Sequence, residues 1–153
     1  MKSIKLTNGQ STIVDNDDYH ALKGFIWYLD NDGYVLRRGP KETGWRFIKM
    51  HRLIAGTPDG LDTDHINGNR LDNRKCNLRI CTRGENLRNR GKPKNNKTGY
   101  KGVHYCIVLQ AFVAQIGFRY KVFNLGSFST ALKAHNAYKK AAAYYHGEFA
   151  RTN

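Results

Sequence analysis

Residues 62–90 read D-T-D-H-I-N-G-N-R-L-D-N-R-K-C-N-L-R-I-C-T-R-G-E-N-L-R-N-R, and their order decides the fold. A strand is expected near Leu61–His65, followed by a loop rich in Asn, Asp and Gly. Leu78-Arg79-Ile80-Cys81 reads as a second strand. Thr82 with Glu85 three residues later is a capping-box signature, which predicts a helix from about Arg83 to Asn89. The order is strand, loop, strand, helix.

Two neighbours in that stretch carry chemistry. Asp64 offers a hard anionic oxygen to a divalent cation, and His65 offers a base that titrates near neutrality. Together these are the two functions that phosphodiester hydrolysis needs. Successive side chains on a regular strand point to opposite faces, so the pair converges on one phosphate only where the strand twists or ends. Asn86 falls on the predicted helix, where its carbonyl oxygen can face Asp64. Asn77 is placed to hold the intervening loop by bonding backbone groups, as Asn does in turns.

The surroundings are strongly basic. Between residues 70 and 101 lie eleven Lys/Arg against Asp72 and Glu85. Phosphate tracking is the expected use of Arg70, Arg74, Arg79, Arg83, Arg88, Arg90, Lys92, Lys94, Lys97 and Lys101. The 153 residues carry a formal net charge of +14, with 16 Lys/Arg against 11 acids in 1–90 and 10 against Glu148 alone in 91–153. Such a balance favours a polyanionic partner, and double-stranded DNA fits it. Cys76, Cys81 and Cys106 are odd in number and form no C-x-x-C, which excludes a disulfide framework and a closed structural zinc site. No apolar run approaches membrane-spanning length and the start has no apolar leader, so a cytoplasmic protein without a membrane partner is expected.

Working outward, residues 2–49 hold short β-prone runs separated by turn signals: Ile4–Leu6, Thr12–Val14, Gly33–Arg37 and Trp45–Lys49. Asp17–Leu22 reads as a short helix between the second and third of these. Met50-His51-Arg52-Leu53-Ile54-Ala55 reads as another, stopped by Gly56 and Pro58. Residues 91–98 form a polar, basic linker. Beyond it come three β-prone runs, Tyr100–Val108, Ala111–Gly117 and Lys121–Leu125, then a helix whose Ala131, Ala134, His135, Tyr138, Ala141, Ala142 and Tyr145 form one apolar stripe.

Met50-His51-Arg52-Leu53-Ile54 together with the 62–90 stretch closely resembles the HNH endonuclease family, in the homing-endonuclease branch common in phages and group I introns. The resemblance implies an α+β protein with a ββα-metal core at about 61–90 inside a nuclease domain at 1–90. It also implies cleavage of DNA, as nicks or double-strand breaks, with Mg²⁺ or Mn²⁺. Carried over, Asp64 and Asn86 are the metal ligands, His65 the general base, Asn77 the middle Asn and His51 a supporting residue.

Residues 97–153 resemble the APETALA2-type DNA-binding domain, on Thr98–Val103, Ala114-Gln115-Ile116, Leu125-Gly126-Ser127-Phe128, Ala141-Ala142 and Tyr145–Asn153. That resemblance implies a three-stranded antiparallel sheet backed by one helix over 99–153. The first two strands depart from it: Cys106–Phe112 stands where the family carries Arg, Lys and Trp. Either binding is weak, or phosphate contacts from Lys101, Arg119 and Lys121 carry it. The rival to a nuclease is a non-catalytic DNA-binding protein using this module.

Overall fold

A computed structural model describes residues 1–44 and 46–152; Trp45, expected to open a strand, and Asn153 lie outside the described residues. The chain divides into two compact units, Met1–Asn86 and Leu87–Asn153.

The first unit grows from strands of only two to four residues. β1 (Lys2–Lys5) and β2 (Ser11–Val14) pair antiparallel, with Ile4 opposite Thr12. α1 (Asn16–Leu22) follows, with Asp17 and Asp18 in its first turn, where negative charge suits the helix dipole. β3 (Tyr28–Leu29), β4 (Val35–Arg38) and β5 (Phe47–Lys49) form a second antiparallel sheet. α2 (Met50–Ala55) leaves β5 directly and ends on Gly56 in the left-handed region at φ 59°. Ile4, Leu6, Val14, Leu22, Trp27, Val35 and Met50 close one core. Trp27 is buried without cost to its ring N–H, which donates to the Leu22 carbonyl at 2.9 Å.

β6 (Asp62–His65) and β7 (Leu78–Cys81) pair antiparallel, with Asp64 opposite Arg79 and His65 opposite Leu78. α3 (Arg83–Arg88) starts at the expected capping box: Thr82 N donates to Glu85 Oε2 at 2.8 Å, and Glu85 N to Thr82 Oγ1 at 3.3 Å. The helix stops one residue before Asn89, which is buried.

The loop between β6 and β7 is tied to the N-terminal hairpin. Ile13 and Asp72 form a parallel bridge, Ile13 N donates to the Leu71 carbonyl at 2.9 Å, and Asn73 N returns to Ile13 O at 2.9 Å. β2 therefore splints a segment that has no strand partner of its own.

In the second unit β8 (Val103–Cys106), β9 (Ala111–Phe118) and β10 (Lys121–Phe128) form an antiparallel sheet ordered β10-β9-β8. The strand expected over Tyr100–Val108 is shorter at both ends. Gly102 at φ 72° turns the chain before it, and Ile107–Gln110 turn it after. α4 (Ala131–His146) is capped by Thr130, whose side chain accepts from Lys133 N, and packs its stripe on the sheet. Ala134 lies against Val103 and Ala114; Tyr138 and Ala142 lie against Ile116. Residues 91–98 are not a free linker throughout. Asn96 Nδ2 donates to the Tyr100 carbonyl at 2.8 Å and Thr98 Oγ1 to the Val103 carbonyl at 3.0 Å, so this end of the segment is part of the second unit. No helix among the described residues is long and apolar enough to cross a membrane.

Candidate active site

β6 separates the expected partners onto two faces, as strand alternation requires. Asp62 and Asp64 lie on one and His65 on the other. On the carboxylate face, Asp62 Oδ2 accepts from Asn86 Nδ2 at 2.8 Å and from Arg83 Nη1 at 3.1 Å. The bond from Asn86 is the main reason the Asp62 carboxyl is held below its usual range. Asp64 is buried and bound on Oδ2 by Arg79, Nε at 2.9 Å and Nη2 at 2.7 Å. Cys81, opposite Asp62 on β7, has its thiol pushed up to about 11 by burial and then by the Asp64 and Asp62 carboxylates. Two carboxylates thus share a wall with a helix that presents Asn86.

Asn86 contacts Asp62 rather than the Asp64 that sequence reasoning paired it with. Its amide nitrogen is engaged, which turns the Oδ1 atom toward other partners. The donor set of Asp62, Asp64 and Asn86 is all hard oxygen, the chemistry that Mg²⁺ and Mn²⁺ prefer. Among the described residues no three His, Cys, Asp or Glu side chains gather as a metal cluster.

On the other face His65 is 4% exposed and its Nε2 lies 3.3 Å from Asn73 Oδ1. Asn73 spends its own N–H donors on Thr12 Oγ1 at 2.8 Å and the Arg70 carbonyl at 3.2 Å. Its oxygen must therefore accept, which assigns the proton to His65 Nε2 and the lone pair to Nδ1. Burial lowers the pKa of His65, with the Asn73 bond opposing it, so the ring is neutral at physiological pH.

His51 on α2 packs edge-on against His65 at 5.0 Å between centroids, and Tyr34 lies 4.9 Å from His51 and 6.1 Å from His65. Burial first, and His65 second, drive the His51 pKa down to about 3, and its Nδ1 makes no hydrogen bond. His51 is therefore a neutral packing partner. Lys49 and Arg70 sit over the Tyr34 ring at 4.7 Å and 4.4 Å, which puts two cations beside the His65 face.

Asn77 spans the loop: its Oδ1 accepts from Asn67 N at 3.0 Å, and its Nδ2 donates to the Asp72 carbonyl at 2.8 Å. Its own carbonyl accepts from Ile66 N at 2.9 Å. Asp72, buried, grips Arg74 through both oxygens at 2.7 Å.

The residues expected to contact phosphate differ in what their side chains meet. Arg79 is committed to Asp64 and Arg74 to Asp72. Lys101 Nζ donates to the Arg88 carbonyl at 2.6 Å, and burial lowers its pKa to about 8. Arg79 and Arg74 pair with buried carboxylates, and Lys101 with a partly buried carbonyl. Arg83, Arg90, Lys92, Lys94, Lys97, Arg119 and Lys121 are exposed, while Arg70 and Arg88 are half-buried against aromatic rings. Sequence reasoning missed Asp62, Asn73, Tyr34 and Lys49. Asp62 had one signal, its i, i+2 spacing from Asp64; the other three come from contacts that only the fold creates.

Residues 49–88, the segment that builds this site, match the model of the HNH endonuclease family. Over 151 residues the chain is 27% identical to a protein of Acanthamoeba polyphaga mimivirus described as an uncharacterized HNH endonuclease, covering 95% of this chain and 75% of that one. No solved structure matches the chain significantly.

Proposed function

We propose that the chain is a metal-dependent endonuclease that hydrolyses phosphodiester bonds in double-stranded DNA, of the homing type. The observation that carries this reading is the β6–β7–α3 unit within the matched segment. It sets Asp62, Asp64 and Asn86 on one wall and a neutral His65 at the last residue of β6, the strand end where neighbouring side chains can turn to one phosphate. A general base must be unprotonated to act, and burial keeps His65 so.

Asp64 and Asn86, with Asp62 beside them, would hold a divalent cation, Mg²⁺ or Mn²⁺. Such an ion supplies charge neutralisation at the scissile phosphate, typically several kcal/mol. His65 Nδ1 takes a proton from water, the resulting hydroxide oxygen attacks phosphorus, and the bond to the 3′ oxygen breaks. The products are 5′-phosphate and 3′-hydroxyl ends, with the departing oxygen taking a proton. Asn73 holds the imidazole, His51 and Tyr34 wall it, and Asn77 keeps the loop between the strands from sagging into the site. Lys49 and Arg70 stand on the His65 side, suited to the phosphate of the bound strand. The second unit, with an APETALA2-like sheet and helix, is the DNA-holding part. Its charge supports this: Glu148 is the lone acid in residues 87–153.

Supercoiled plasmid incubated with Mg²⁺ or Mn²⁺ tests the reading. Nicked or linear product that EDTA abolishes is expected. Asp64→Ala should abolish cleavage while keeping DNA binding, and His65→Ala should slow it by about 10²–10⁴. Equal cleavage by both variants and the parent refutes the site.

A further inference from the structure

The turn joining β9 to β10 is built from residues that such turns avoid. Phe118 and Lys121 pair across it, leaving Arg119 and Tyr120 as the two central residues at φ 48° and 62°. Two consecutive left-handed residues suit Asn-Gly, and a bulky Tyr there is a genuine outlier. No packing compensates the strain, because Tyr120 is exposed beyond its reference value, at 111%. A side chain kept in a disfavoured conformation and pointed into solvent serves something outside the chain.

Its neighbours say what that is. Arg119 and Lys121 flank it, both exposed. The Arg119 guanidinium lies 5.2 Å from the Phe118 ring centroid and the Arg88 guanidinium 5.1 Å from the same ring. The ring in turn packs on Tyr145 at 5.4 Å. Two cations are thus seated on a fixed aromatic at the base of the tip, with a third beside it. The opposite end of the sheet is a control within the same unit: Ile107 and Val108 are 83% and 91% exposed there, yet residues 102–118 contain no Lys, Arg, Asp or Glu. The Tyr120 tip, in contrast, joins an exposed ring to positive charge.

We propose that Arg119-Tyr120-Lys121 is a DNA-probing tip, in which the Tyr120 ring stacks against a base step while the flanking cations hold the adjacent phosphates. The inference deepens the nuclease reading and rests on it, since duplex DNA is the partner. Aromatic rings stack on any base, so the tip adds affinity and local distortion without demanding a sequence.

The test uses the full chain in EDTA, so that cleavage does not intervene, with a mixed-sequence duplex of about three helical turns. Heparin, a polyanion without bases, serves as the comparison ligand. Tyr120→Gly removes the ring and puts the favoured residue into the turn, so the variant folds. Its duplex affinity should fall about 5- to 150-fold, the range of base–aromatic stacking, with the salt slope and heparin affinity unchanged. Tyr120→Phe should bind the duplex as the parent does, and Lys121→Ala should reduce the salt slope by about 0.9. Parental duplex affinity in Tyr120→Gly, or an equal loss on heparin, overturns the proposal while leaving the nuclease reading intact. A parent chain that binds no duplex at all overturns both.

Discussion

Arg79→Met removes the cation that holds Asp64 while keeping an apolar stem to fill the space. The pair it breaks is well shielded, with side chains 12% and 7% exposed, and both guanidinium contacts fall on one carboxylate oxygen at 2.9 Å and 2.7 Å. Stranding a buried carboxylate in this way costs about 3–5 kcal/mol. For a unit of this size each kcal/mol moves the thermal midpoint by roughly 4–8 °C, so a drop on the order of 12 °C or more is expected in EDTA. On the proposed reading a divalent ion would replace the lost positive charge. At a free concentration about 100 times its Kd it returns about 2.7 kcal/mol, most of the loss. In the parent the same ion must share Asp64 with a guanidinium that repels it, so its stabilisation should be smaller. Thermal scans of parent and variant with Mg²⁺, with Mn²⁺ and with EDTA read this directly. A companion, Asp64→Asn with Arg79→Met, should regain stability and lose the metal response. Equal metal shifts in parent and single variant would refute the reasoning, because Arg79 and the cation would then not be competing for Asp64.

Asn73→Ala takes away the acceptor for His65 Nε2, one bond that ties the loop to β2 and one within the loop; a cleavage rate lower by about 10–100-fold is expected, with a plasmid time course as the measure. Gly102→Ala places a Cβ into the Tyr138 ring and the Gln115 carbonyl at a left-handed position, so denaturant unfolding should show the second unit weakened by about 2–4 kcal/mol. Acid should destabilise the first unit through His51. Above pH 6.5 the ring is neutral folded and unfolded; between pH 6.5 and about 3 only the unfolded chain takes the proton, so stability falls as pH falls. The total is on the order of 5 kcal/mol, and His51→Phe should flatten the upper part of that limb in a pH series of melts.

The elements were legible wherever a local rule acts alone. Thr82 and Glu85 announced α3 because a capping box is made within four residues, and Gly56 announced the end of α2 because only a left-handed residue closes it there. The stripe of α4 was legible for the same reason, a period that needs no partner to be seen. The site was legible in residue type and not in partnership. Asp64, His65, Asn77 and Asn86 stand out in the sequence, yet which carboxylate meets Asn86 depends on how far α3 has turned when it passes β6. That angle placed Asp62 under the amide. Arg79 illustrates the same limit. In sequence it is one basic residue among many, and only the antiparallel register, which sets it opposite Asp64, pairs it with that carboxylate.

That register has a consequence for how the site works. With Arg79 in place Asp64 is neutralised before any metal arrives, so the resting wall does not carry two uncompensated carboxylates. Asp62 is more open, with Arg83 75% exposed as its counter-ion and Asn86 at hand. An exposed pair contributes little to stability and parts easily, whereas a buried one does not. On the proposed reading, a cation approaching this wall would meet Asp62 and Asn86 first and gain Asp64 only as Arg79 yields. Asp62→Asn should accordingly weaken Mn²⁺ binding, read by isothermal calorimetry, while leaving the thermal midpoint in EDTA close to that of the parent. Undiminished Mn²⁺ affinity in that variant would mean that Asp64 is the entry ligand and that Arg79 does not guard it.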